Sequence, residues 1–353
     1  MICPRKTLAV CLALILGVPL TGISQQLPPP PPPQGGAQGT PQKPPQVTRV
    51  VTTLVKVPVT VKDGNGQIVN SLSQEDFRIL EDGVEQKIEK LVTDPVPISA
   101  VVLLDDSLKS KPQQQVQESL KAIAAGIGDA DETAIFRFDQ FPRQMTDFIS
   151  GPDKLLTQLG RIQVSTSSPM SPDYSATTPT MPRLNGPPIP TQPPPAKVTI
   201  LGNGTKSVND ALFAAAELLR TRDKDRRKVI FLVSDGVDSK GNKYSFDDTV
   251  KMLLSAEAAV YAIGIGTPYT SRPLNILARF AHASGGDVFF ASSRSELEDL
   301  YPRISDQARN QYTIYYSPQH ADRTITYHSI DVRVKRTGLT ILARDGYYSA
   351  PQP

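Results

Sequence analysis

Two stretches decide the fold. Ser99-Ala100-Val101-Val102-Leu103-Leu104 runs into Asp105-Asp106-Ser107, and Val229-Ile230-Phe231-Leu232-Val233 runs into Ser234-Asp235-Gly236. Continuous apolar runs of this length mark strands covered on both faces, as in a parallel sheet between two helical layers. Working outward, a helix follows the first run, with Pro112 in its first turn and Val116, Leu120, Ile123 and Ile127 on one stripe. Residues 133–138 read as the next strand and 153–162 as a short helix. The 207–220 stretch is helical, with Ser207 as its cap, Asp210 completing a box-like cap, and Val208, Ala211, Ala215 and Leu219 facing inward. A helix at 245–258, a strand at 260–265, and a helix at 273–283 stopped by Gly285-Gly286 come next. A strand at 288–291 and a helix at 295–309, capped by Ser295 with Glu298, complete the alternation. The expected class is α/β: a doubly wound, mainly parallel, Rossmann-like sheet with helices on both faces, spanning 95–310.

The flanks have a different period. Val55, Val57, Val59 and Val61 alternate with Lys56, Pro58, Thr60 and Lys62. Such a pattern gives a half-buried strand, and Pro58 suits an edge position. Asp63-Gly64-Asn65-Gly66 is a turn, and a second strand at 77–80 ends in Glu81-Asp82-Gly83. At the other end Tyr312, Ile314 and Tyr316 alternate, then Ile330, Val332 and Val334, then Leu339, Ile341 and Ala343. A β-sandwich built from the segments 47–94 and 311–350 around the inserted α/β domain is the expectation; separate small sheets would leave the same pattern.

Residues 1–24 carry Arg5 and Lys6 ahead of the apolar run Leu8–Leu20, too short to span a bilayer, with Gly22-Ile23-Ser24 available for cleavage. They read as a secretory signal peptide. Both cysteines, Cys3 and Cys11, lie inside it, so the mature chain would hold its fold by burial without disulfides. Residues 25–46 are Pro/Gln/Gly-rich and read as an extended spacer. Of the 33 prolines in the 353 residues, 19 lie in 27–46 and 165–197, and the second segment interrupts the α/β pattern as either a loop serving the site or a surface insertion. The net charge of +3, with no dense Lys/Arg stripe, argues against nucleic acid as a partner. No segment after the leader is apolar and long enough to be read as a membrane span.

In an open parallel sheet, ligands collect where the loops leave the carboxyl ends of the strands. Those loops hold Asp105-Asp106-Ser107-Leu108-Lys109-Ser110, Ser234-Asp235-Gly236-Val237-Asp238 and Gly202-Asn203-Gly204-Thr205. Their carboxylates and hydroxyls would make an all-oxygen site suited to a hard cation, Mg²⁺ or Mn²⁺. The same residue types also serve as ordinary caps and turn formers.

At these residues, over roughly 97–310, the chain resembles the von Willebrand factor type A domain: an apolar strand into Asp-x-Ser, a Gly-x-Gly-Thr loop before a helix, and Val-Ile-Phe-Leu-Val-Ser-Asp-Gly. With the flanks Val59–Gly66, Glu75–Gly83, Gln311–Tyr316 and Ala343–Tyr348, it resembles the exported VWFA-related family of acidobacteria over nearly the whole mature chain. The resemblance implies a metal-ion-dependent adhesion site, Asp-x-Ser-x-Ser with a later Thr and Asp. By position, Asp105, Ser107, Thr205 and Asp235 would be its metal ligands. It implies a function in adhesion, the ion bridging an acidic group on a protein partner. Two positions depart from the pattern. Lys109 stands where the second Ser belongs, with Ser110 one residue late, and the spacing back from Asp210 lands on Lys206 rather than Thr205. Lys109 is expected to be able to replace the cation by pairing with the aspartates.

Enzyme readings fare worse. An aspartyl-phosphate mechanism on Asp105 wants an Asp where Ser107 stands, and no Gly-x-Ser-x-Gly elbow is present. His282, His320 and His328 show no paired metal-ligand spacing, and Gly264-Ile265-Gly266 lacks the third glycine of a dinucleotide fingerprint. The sequence is therefore read as an exported, non-enzymatic protein-binding module of the periplasm or cell exterior, its alternative being a metal-free assembly protein of the envelope.

Overall fold

The computed structural model describes residues 54–162, 206–238, 241–266, 274–319, 322 and 324–349. The leader, the Pro-rich spacer, the 165–197 insertion, Thr205 and His320 lie outside the described residues. In chain order the strands are β1 (Val55–Lys62), β2 (Phe77–Glu81), β3 (Val84–Gln86), β4 (Ile88–Val92), β5 (Ile98–Asp105), β6 (Glu132–Phe138), β7 (Pro142–Gln144) and β8 (Ile149–Ser150), followed by β9 (Arg227–Ser234), β10 (Ala258–Ile265), β11 (Asp287–Ala291), β12 (Tyr312–Tyr316), β13 (Tyr327–Val334), β14 (Thr340–Ala343) and β15 (Gly346–Tyr348). The helices are α1 (Ser110–Ser119), α2 (Pro152–Leu159), α3 (Val208–Arg220), α4 (Phe246–Ala256), α5 (Leu274–Ser284) and α6 (Arg294–Arg309), and α1 runs on into a 3₁₀ turn, Leu120–Gly126. None of them is long and apolar enough to cross a membrane.

The central sheet has the order β11-β10-β9-β5-β6-β7, with β8 also paired to β6. The pairs from β11 through β6 are parallel, and only the short β7 and β8 run antiparallel. Both apolar runs are buried along their whole length, as strands between two helical layers must be. Successive side chains point to opposite faces. Ile98, Ala100, Val102 and Leu104 therefore pack with residues of α1, α2 and α6, while Val101 and Leu103 pack with those of α3, α4 and α5. The chain leaves β5 toward β6 but leaves β9 toward β10, so the winding direction reverses between the adjacent strands β5 and β9. That switch point is where a doubly wound sheet opens a crevice at its carboxyl edge.

Strands from both ends of the chain form the expected sandwich. One sheet is β14-β1-β12-β4 and the other β15-β13-β2-β3, with Val57, Val59, Val61, Ile79, Ile314 and Tyr316 in the core between them. Pro58 departs from its expected edge position, because β1 has a neighbour on each side. It is tolerated because β14 pairs only from Val59 onward, so at Pro58 the strand bonds to β12 alone. The sandwich is tied to the α/β layer by Lys62 pairing with Asp287, by the Lys56 ammonium donating to the Lys224 carbonyl at 2.8 Å, and by the Asp345 amide donating to the Ala283 carbonyl at 3.3 Å. Gly285 permits this approach. It has φ +77°, and a Cβ there would lie 2.5 Å from the Arg344 nitrogen.

Two expected caps are corrected. Ser207 precedes α3, yet its hydroxyl donates to the Gln140 carbonyl at 2.8 Å, while Asp210 accepts the Lys243 and Tyr244 amides at 3.0 Å each. Helix α6 is capped by Ser293, which accepts from the Glu296 amide, instead of by Ser295.

Candidate functional site

Asp105 closes β5 and Asp235 follows β9, so the parallel pairing of these two strands sets both carboxylates at the switch point. Lys206, on the approach to α3, enters between them. Its ammonium donates to Asp235 Oδ1 at 2.7 Å and to Asp105 Oδ2 at 3.3 Å. Asp105 is fully buried and Lys206 is 5% exposed. The other acceptor positions of Asp105 are taken as well. Oδ1 accepts the Ser107 amide at 2.9 Å and the Ser107 hydroxyl at 2.6 Å, and Oδ2 accepts the Ser234 hydroxyl at 2.7 Å. Ser234 in turn accepts the Gly236 amide at 3.1 Å, and Asp235 Oδ1 the Val237 amide at 3.0 Å, which fixes the loop after β9.

Beside this triad lies a second charged group. Asp106 pairs with Arg137 at 2.6 Å and with Arg143 at 3.3 Å, and Arg143 also holds Asp139 at 2.8 Å. Burial raises the Asp106 carboxyl above its ordinary range, against the pull of the two guanidinium groups. The Asp139 carbonyl accepts the Ser207 amide at 2.9 Å, so this network steadies the segment that carries Lys206.

Of the sequence-derived ligands, the structure brings together Asp105, Ser107 and Asp235; Thr205 is outside the described residues. The lysine expected among the aspartates is the wrong one. Lys109 is exposed and holds the cap position of α1 without a side-chain bond to it, whereas Lys206 is the cation between the carboxylates. The reason is geometric. Residue 109 lies past the turn that Ser107 closes on Asp105, at the cap of α1, while residue 206 is held beside the loop after β6, where the Ser207 amide donates to the Asp139 carbonyl, and its ammonium reaches both carboxylates. The spacing back from Asp210 was the signal for it. Ser234 was missed as a partner because a serine ending a strand has no distinctive pattern.

The arrangement tests poorly for a divalent ion. A cation bridging Asp105 and Asp235 would stand beside a buried ammonium that already bonds both, and like charges at that distance repel strongly in a water-poor site. The donor set as it stands fits an ammonium.

On the sandwich, Glu81, Asp82 and His328 also bring ligand-capable atoms within 4.8 Å of one another. Those atoms are engaged in holding strands together. Glu81 accepts the Tyr316 and Tyr347 hydroxyls, and His328 bonds Asp82 at 2.7 Å and Asp322 at 2.8 Å.

Residues 196–303 match the family model of the von Willebrand factor type A domain. The chain carries a von Willebrand factor type A domain. Solved structures similar to it include proximal thread matrix protein 1 from the mussel byssus, at 17% identity over 61% of this chain and 49% of that one, with a TM-score of 0.42. A von Willebrand factor type A protein from Catenulispora acidiphila is 10% identical over 85% of this chain and 75% of that one, with a TM-score of 0.42. The manganese-loaded TRAP protein of Plasmodium vivax is 12% identical over 77% of this chain and 99% of that one, with a TM-score of 0.40. This chain thus spans about half the length of the mussel protein. No curated protein matches it. In this chain Asp105 and Asp235 flank the Lys206 ammonium.

Proposed function

We propose that the protein is an exported, non-enzymatic binding module that engages a protein partner at the carboxyl end of the A-domain sheet, and that the Lys206 ammonium stands there in place of Mg²⁺ or Mn²⁺. The observation that carries the reading is the ammonium bonded to both Asp105 and Asp235. A fixed internal cation removes the need for a metal to neutralise the carboxylates. It also removes the open coordination position through which an acidic group of a partner would be bridged, so contact must come from the surrounding surface.

That surface has suitable side chains. Phe141 is 67% exposed and Val237 is 40% exposed, and they follow directly on Gln140, which holds Ser207, and on the Asp235-Gly236 turn. Exposed apolar side chains with polar groups beside them are what a protein interface buries. The rival reading, a hydrolase with Asp105 as nucleophile, is disfavoured because that carboxylate is wholly buried and both oxygens are occupied.

The test is retention of a partner from the envelope fraction of the source cells on the immobilised mature chain. Retention should be the same in a chelator as in Mg²⁺, and should be lost with Phe141→Asp or Val237→Asp. Release of the partner by chelator, or indifference to both substitutions, would overturn the reading.

A further inference from the structure

At the opposite, amino end of the same sheet, a small cavity, with about 20 Å³ of room for the centres of water-sized groups, lies between the A domain and the sandwich. Arg227 and Lys228 reach it from the start of β9, Lys56 from β1, and Arg344 from the turn after β14. Arg227 is 4% exposed and Arg344 is 6% exposed, and Lys228 is buried too. The fifth basic residue of the lining, Arg226, is spoken for by Ser99, the Ile98 carbonyl and the Ala130 carbonyl.

The other four are not matched by acids. Among the described residues none of them makes an ion pair, and the one carboxylate in the lining, Glu257, is exposed. Arg227 spends only Nη2, on the Thr313 hydroxyl at 3.3 Å and more distantly on the Gln311 carbonyl, so its Nε and Nη1 are buried without an acceptor. Arg344 gives Nη2 to the Lys56 carbonyl at 2.9 Å and leaves Nε without one. Gln311 Oε1 is buried with no donor, its amide nitrogen being used by Thr60 at 2.9 Å. Buried charges in proteins are paired, hydrogen-bonded or ligand-bound, and stranded guanidinium donors are costly. Burial holds Lys56, Arg227, Lys228 and Arg344 all below their ordinary values.

We infer that this cavity binds phosphate: a compact, doubly charged oxyanion held jointly by Arg227 and Lys228 of the A domain and by Lys56 and Arg344 of the sandwich. Its oxygens supply acceptors to the stranded guanidinium nitrogens, and charge of −2 offsets cations that Glu257 alone cannot balance. The Gln311 carbonyl oxygen accepts from the hydroxyl of monohydrogen phosphate, a donor that sulfate lacks. The ion thereby ties the two modules together at a seam otherwise crowded with like charge.

The experiment is calorimetric titration of inorganic phosphate into the whole protein near neutral pH at constant ionic strength, with thermal unfolding alongside. One phosphate should bind per chain and raise the Tm saturably, sulfate should bind more weakly, and Arg227→Met and Arg344→Met should each weaken binding about tenfold or more. Should either methionine variant fail to fold, two milder ones decide the matter: Lys56→Gln should weaken binding and Glu257→Gln should tighten it about threefold. No saturable binding by the unaltered protein, affinity indifferent to these substitutions, or sulfate bound as well as phosphate would overturn the inference.

Discussion

The two ends of the A-domain sheet treat charge in opposite ways. At the carboxyl end, one buried ammonium meets two carboxylates, and each oxygen of Asp105 has two donors. At the amino end, among the described residues, four basic side chains share one exposed carboxylate, and two buried guanidinium groups keep donors without acceptors. The first site is complete within the chain, because Lys206, Ser107 and Ser234 supply the donors that Asp105 needs. The second is complete only with something added. A charged site in a fold can therefore be closed from inside or left for a ligand, and hydrogen-bond accounting at the buried atoms tells the two apart.

Breaking the closed site should have the largest effect. Lys206→Met leaves the buried Asp105 and the half-buried Asp235 without a counter-charge, and should lower unfolding free energy in urea by about 3–5 kcal/mol near neutral pH. A loss below about 1 kcal/mol would mean that water already screens the carboxylates. Ser234→Ala removes one donor to Asp105 and the acceptor of the Gly236 amide, and by the same measurement should cost about 1–3 kcal/mol. An unchanged midpoint would show that the hydroxyl adds nothing to the triad.

His328 on the sandwich is an intermediate case, a cation whose charge depends on pH. Burial opposes its protonation, yet the carboxylates of Asp82 and Asp322 outweigh that and hold its pKa above the ordinary histidine value. Because the folded value is raised, its contribution is fully present below the unfolded pKa of about 6.5 and fades as pH rises through the folded value. Stability should therefore fall by about 1–2 kcal/mol from mildly acid to alkaline pH, and His328→Gln should flatten that slope. An identical slope in the variant would assign the pH dependence elsewhere. The smallest effect belongs to Lys109→Ser. Since Lys109 is exposed at the cap of α1, the change should stay within about 0.5 kcal/mol and should create no metal binding.

Much of this was legible before any coordinates. The runs 99–104 and 229–233 gave the parallel sheet, because double burial writes itself as unbroken hydrophobicity, and strand pairing then placed Asp105 and Asp235 side by side. The alternating valines of 55–61 and the tyrosine-rich tail gave the sandwich core. The identity of the central cation was not legible. Lys109 and Lys206 were both near the motif, and only the folded contacts, with Ser207 held on the Asp139 and Gln140 carbonyls, separate them. The amino-end cavity had no sequence signature at all. Arg227, Lys56 and Arg344 are far apart in sequence, each looks like an ordinary surface base, and it is the docking of the sandwich that brings them to one cavity.

The most direct test of the central claim is a titration of Mn²⁺ into the unaltered protein and into Lys206→Thr, with Asp235→Ala added to the latter as control. The account expects no saturable binding by the unaltered protein, binding by Lys206→Thr, and loss of that binding when Asp235 is also replaced. Saturable, Asp235-dependent binding of Mn²⁺ by the unaltered protein would contradict it, since the ammonium would then have to yield its place to the ion.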